Sequence, residues 1–240
     1  MDAMFDVGEY ELRIACKGSG SPTVVFFDGL GGGSTRQIVA GLAPLLTDRH
    51  RFCAYDRVNT GLSGVQQAMH TGADSVRDLR ALLAAADVPG PYLLLGWSWG
   101  GVLATMYAGT YPDDVTGLLL LDSALPTDDE IEVLYPRAEL ERLKKEWNAV
   151  EQEDLYATLP EAKKAVKSIP DIPVTFLATE PPAPTDDLEK RITALRHVKR
   201  AEFVAQFRRG KIVTVDTGHD IAGERPDLVA AELQRIVAAA

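Results

Sequence analysis

Apolar positions along this chain switch between two rhythms, one of period two and one of helical period. Tyr10, Leu12 and Ile14 alternate with polar neighbours, and Gly18-Ser19-Gly20-Ser21-Pro22 then turns into the unbroken apolar run Val24-Val25-Phe26-Phe27. This predicts a hairpin entering a buried strand. Ile38, Leu42, Leu45 and Leu46 fall at helical spacing, Phe52-Cys53-Ala54-Tyr55 reads as a short strand, and Val76, Leu79, Leu82, Leu83 and Ala86 mark an amphipathic helix. Further strands are expected at Tyr92 to Leu95, Val115 to Leu121, Val174 to Ala178 and Ile212 to Val215. Helices separate them, one ending before Pro112 and the last carrying Pro226 in its first turn.

Apolar runs alternating with helices imply strands covered on both faces, hence an α/β fold with a mostly parallel central sheet flanked by helices. The alternation breaks over residues 126–172, a charged, helix-prone stretch containing Glu139 to Trp147, which reads as a short helical cap insertion. Pro181-Pro182-Ala183-Pro184 is a stiff turn, too short to link domains. The 240 residues fit one domain spanning 1–240.

Composition narrows the function. The net charge of −10, with basic residues interspersed among acids, disfavours nucleic-acid binding. The amino terminus lacks a secretory pattern and no run reaches membrane-spanning length, so a cytoplasmic protein with no membrane partner is expected. Cys16 and Cys53 form no metal motif, and Cys53, in a strand-like run, is expected as a buried, inert thiol.

The run Gly96-Trp97-Ser98-Trp99-Gly100 carries the chemistry. A GxSxG pattern alone is weak, because at roughly 7% usage of each required residue a chain this long holds one by chance about one time in ten. Here it follows Tyr92-Leu93-Leu94-Leu95 and precedes the helix-like Gly101 to Ala108, which is the strand, turn and helix order a nucleophile elbow needs. Ser98 is therefore the candidate nucleophile. A serine needs a base to take its proton, and the chain offers His50, His70, His197 and His219. The first three sit in polar stretches, loops or a basic helix surface and read as solvated. His219, in Thr217-Gly218-His219-Asp220 just beyond the last predicted strand, lies on the sheet edge the elbow occupies and is the candidate general base.

These features together resemble the α/β-hydrolase superfamily, and bacterial serine esterase-like members in particular. Asp28-Gly29-Leu30-Gly31, Tyr55-Asp56-Arg57 with Gly61-Leu62-Ser63, the elbow, Leu121-Asp122-Ser123 and Gly218-His219-Asp220 all match. The resemblance implies that the backbone N–H groups of Leu30 and Trp99 form an oxyanion hole. It also implies that Asp56 and Arg57 brace the loop beside the site. Asp28 departs from the pattern, where a histidine often precedes the glycine. The family's acid usually follows the strand represented by Val174 to Ala178, where this chain offers only Glu180. Some members place it one strand earlier, which gives Asp122; Asp122 is preferred and Glu180 is the alternative.

The expected reaction is cleavage of an ester-like bond of a small, apolar substrate through an acyl-enzyme on Ser98, with catalytic Ser98, Asp122 and His219 and no metal or cofactor. Lactone or thioester cleavage would use the same groups. A non-hydrolytic lyase or a ligand-binding protein on the same fold are the alternatives of other classes. Trp99 is expected to face the substrate, and Leu134, Tyr135, Leu143 and Trp147 to supply the roof. The partner is a small molecule, and the assembly a monomer or homodimer.

Overall fold

The computed structural model describes residues 1–46, 49–180 and 182–240. Thr47, Asp48 and the Pro181 end of the predicted stiff turn lie outside them. The strands are β1 (Asp2–Asp6), β2 (Glu11–Lys17), β3 (Thr23–Phe27), β4 (Phe52–Tyr55), β5 (Tyr92–Trp97), β6 (Val115–Leu121), β7 (Val174–Thr179) and β8 (Gly210–Val215). The helices are α1 (Thr35–Leu46), α2 (Gly72–Ala85), α3 (Trp99–Thr110), α4 (Asp128–Glu132), α5 (Arg137–Glu151), α6 (Leu155–Val166), α7 (Asp187–Val204), α8 (Ile221–Glu224) and α9 (Pro226–Ala239).

Among the described residues the strands form one sheet in the order β1-β2-β4-β3-β5-β6-β7-β8. It is parallel from β4 through β8, with β1 and β2 antiparallel at one edge. The unbroken apolar runs have the expected cause. Val25, Phe27, Leu94, Leu118 and Leu120 point to one face, and Val24, Phe26, Leu93, Leu95, Leu119 and Leu121 to the other. The first face is covered by α2 and α3, with α6 packed outside α3, and the second by α1 and α9. Sandwiched in this way, α3 is buried from Trp99 to Ala108, which is why its sequence is apolar all round.

Three expectations change. Gly18 to Pro22 is not a hairpin turn between paired strands: β2 pairs with β1 and β4, and β3 with β4 and β5. The true hairpin partner, β1, has only two of its five residues partly covered and carries little apolar signal. Cys53 is not a free thiol, because the antiparallel register sets it opposite Cys16 and the two are disulfide-bonded. Thirty-seven residues of sequence separation hid that pairing. His50 and His70 are buried, not solvated.

The order places the site. The chain runs one way from β3 to β4 and then crosses back over β3 to β5, so a crevice opens at the carboxyl ends of β3 and β5. Residues 28–34 and the turn at 97–99 leave the sheet there. Residues 128–166 fold as α4, α5 and α6 above it, as the charged interruption predicted. No helix among the described residues is long and apolar enough to cross a membrane.

Candidate active site

Ser98 follows β5 in a backbone conformation that a side chain rarely adopts, φ 51° and ψ −124°, immediately before the first turn of α3. The turn is tight enough that a Cβ on Gly96 would sit 2.6 Å from the Gly101 Cα, and one on Gly100 would collide with the Phe27 carbonyl. Glycine is required at both positions. The strained serine is pinned by its own backbone: its N–H donates to the Leu121 carbonyl at 3.1 Å, and its carbonyl accepts from the Ala124 N–H at 3.0 Å.

Asp122 leaves β6 one residue beyond that contact, also at positive φ (34°), with its N–H donating to the Leu177 carbonyl at 2.8 Å. Its Oδ2 lies 2.7 Å from Nδ1 of His219, so the preferred acid and the candidate base are paired. Glu180 does not take that place: it is exposed and lies 3.7 Å from His197. Burial opposes ionisation of Asp122, but the His219 contact, the Thr179 N–H at 3.4 Å and the charges of His219 and Arg200 together hold its carboxyl below the usual range. His219 and Ser98 line one cavity of about 700 Å3, with no direct hydrogen bond between them in this structure. Such contacts commonly close only around bound substrate.

The imidazole is held from its backbone side as well. The Trp97 indole donates to the His219 carbonyl at 2.8 Å, and the two rings lie 5.3 Å apart between centroids. Trp97 therefore fixes the loop that carries His219.

Leu30 and Trp99 both line a second cavity of about 240 Å3, which also reaches Ser98. The Trp99 N–H opens a helix, where no carbonyl of the preceding turn is available to it. In the loop after β3 the neighbours of the Leu30 N–H are already engaged: Gly29 N–H donates to Asp28 Oδ1 at 2.8 Å and Gly31 N–H to Glu151 Oε1 at 2.5 Å. Asp28, the departure from the family pattern, is 3% exposed and also accepts from the Ser34 backbone and hydroxyl at 2.9 and 2.7 Å. It stitches this loop to itself.

Two glutamates that the sequence reading did not single out tie the insertion to this centre. Glu151, the last residue of α5 and 0% exposed, receives Arg57 Nε and Nη2 at 2.8 and 2.6 Å. Arg57 in turn donates to the carbonyls of Asp28 and Gly29 at 2.7 and 2.6 Å, which is the bracing expected of it. Glu153, equally buried, accepts from the Trp99 indole at 2.8 Å and from Ser75 at 3.1 Å, with His70 at 3.5 Å. Gln152 between them takes a left-handed turn, φ 58°, that sends both carboxylates into the core.

The smaller cavity is walled by Trp99 and Trp147, as expected, and by Leu155, Tyr156 and Leu159 of α6, which were not. Leu134, Tyr135 and Leu143 are half-buried but line neither cavity. Asp128 and Glu132 border it as well, and an apolar group fits its Trp147, Leu155 and Leu159 side. The larger cavity is different, bordered by Arg196, His197 and Arg200 of α7. Among the described residues no group of three or more His, Cys, Asp or Glu side chains is arranged to hold a metal ion.

The profile described as the alpha/beta hydrolase fold matches residues 22–192. An uncharacterised protein, YqjL, of Bacillus subtilis is 37% identical over 109 residues, 45% of this chain and 42% of that protein. A proline iminopeptidase of Arabidopsis thaliana is 27% identical over 206 residues, 85% of this chain and 50% of that protein. The chain thus spans half or less of the length of these relatives. The crystal structure of E-2-(acetamidomethylene)succinate hydrolase superposes with a TM-score of 0.72 at 18% identity, covering 99% of this chain and 98% of that one.

Proposed function

Because the chain belongs to the α/β-hydrolase family, we propose that it is a serine hydrolase that cleaves an ester-like bond through an acyl-enzyme on Ser98. The observation that carries this reading is the 2.7 Å pairing of Asp122 with His219 on the cavity that Ser98 lines.

His219 Nε2 takes the Ser98 hydroxyl proton as Oγ attacks the carbonyl carbon, and the resulting oxyanion is held by the Leu30 and Trp99 N–H groups. Collapse of the tetrahedral species expels the leaving group, which takes the proton from His219. Water then attacks the acyl carbon, gives a proton to His219, and a second collapse returns that proton to Ser98 and frees the acid. Asp122 keeps the Nδ1 proton in place, and so presents Nε2 to the serine throughout.

The strain at Ser98 supports the same reading. A positive φ on a serine costs about 1–3 kcal/mol and persists only where surrounding contacts enforce it, most often at reacting centres.

The test is a series of p-nitrophenyl esters of increasing acyl length, with L-proline p-nitroanilide added because a relative is named proline iminopeptidase. Wild type should turn over at least one ester, and Ser98→Ala should lose about a thousandfold or more. Equal rates in the two proteins would sink the assignment. Turnover of the anilide without any ester would move the reaction to amide bonds.

A further inference from the structure

The two cavities that meet at Ser98 differ in chemistry, and the larger one contains a cation with no adequate partner. Arg200 is 6% exposed, lies with its guanidinium 4.9 Å from the Phe176 ring centroid, and its side chain makes no hydrogen bond among the described residues. Its Nε is buried and unpaired. Its ion-pair contact, Asp122 Oδ1 at 3.5 Å, is with a carboxylate already committed to His219 and Thr179. One turn away on the same face of α7, Arg196 borders the cavity and has no ion pair among the described residues. A buried guanidinium with open donors is costly unless something fills them.

The acidic groups on this cavity have partners of their own. Asp128 accepts from the Leu125 N–H at 3.1 Å, and Glu180 faces His197 at 3.7 Å. Among the described residues, no acceptor lies within hydrogen-bond geometry of the Arg196 or Arg200 guanidinium.

We infer that the substrate carries a carboxylate, seated on Arg200 and Arg196, on one side of its scissile carbonyl, and a compact apolar group, seated against Trp147 and Leu159, on the other. The planar guanidinium fork suits an oxyacid group. A carboxylate suits it better than a phosphate monoester, because a dianion would meet twice the repulsion from Asp122, Asp128 and Glu180. This inference rests on Ser98 being the nucleophile.

The test compares matched esters in two pairs, since either side of the bond could bear the charge. Mono-p-nitrophenyl glutarate is set against p-nitrophenyl pentanoate, and 4-acetoxybenzoate against its methyl ester. In one pair the anionic ester should lead by about tenfold or more in kcat/KM, and Arg196→Gln should bring that ratio close to unity. Arg200→Gln should also erase the ratio, with a lower kcat from its contact with Asp122. A wild-type ratio of one or below in both pairs, with the neutral esters turned over, overturns the carboxylate subsite and leaves the hydrolase standing. If neither an ester nor the anilide is cleaved, the hydrolase reading fails, and calorimetric titration decides the subsite separately. Glutarate should then bind wild type and weaken about tenfold in Arg196→Gln. Absent glutarate binding, or tighter binding of inorganic phosphate, overturns the assignment.

Discussion

The sequence favours Asp122 over Glu180, and the surroundings of the two carboxylates separate them. Asp122 is largely buried, at positive φ, and bonded to His219, whereas Glu180 stands in solvent with an exposed histidine. Asp122→Asn should lower kcat roughly 10,000-fold with little change in KM, because an amide opposite Nδ1 favours the wrong tautomer. Glu180→Gln should stay within about threefold, as expected of an exposed ion pair. Steady-state kinetics on both variants checks this, and the opposite ranking would exchange their roles. The candidate side chains that the structure brings together share a property. Ser98, Asp122 and His219 each sit at the end of an apolar run, so local pattern locates them on one sheet edge. Glu151, Glu153 and Trp97 act through partners 54 to 122 residues away, and in their own segments nothing distinguishes them from ordinary surface or core residues. Only the fold supplies that information.

At the scale of elements, the strands and helices were legible because each face of the sheet imposes its own apolar alternation. The pairing of strands was not, since a turn rich in glycine and serine looks the same whether it closes a hairpin or carries the chain past a neighbour. The insertion was visible as charge, but not how it is fastened. Its attachment runs through the link between α5 and α6, where Glu151 neutralises Arg57 inside the protein. Glu151→Gln should destabilise the chain by about 3–5 kcal/mol, because it leaves a buried guanidinium without its counter-charge. Urea unfolding measures this, and the loop carrying Leu30 should loosen with it, lowering kcat by more than it raises KM. A variant as stable as wild type would show that the pair contributes nothing to the fold.

Over the whole molecule, acidic groups respond to pH with opposite signs. Asp122 is held below the ordinary 3.8, so its contribution is present above that pH and is lost as pH falls through its lowered value. Burial instead pushes Asp128 up to about 6, so the folded chain holds that proton more tightly than the unfolded one. Its contribution is complete below pH 3.8 and falls away as pH rises through about 6. Asp128→Asn should therefore gain on wild type between pH 4 and 7, by at most about 3 kcal/mol. Thermal unfolding across that range checks it, and a constant gap would show that Asp128 does not titrate as described. The fastening at 151–153 also bears on how such a chain can acquire new substrates. Glu151 and Glu153 belong to the insertion by sequence but to the candidate site by contact. A roof transplanted from another protein without them would strand Arg57 and release the Trp99 indole. Variation is thus free on the exposed faces of α5 and α6 but closed where α6 packs on α3 and at residues 151–153, and any redesign of the pocket has to inherit that join intact.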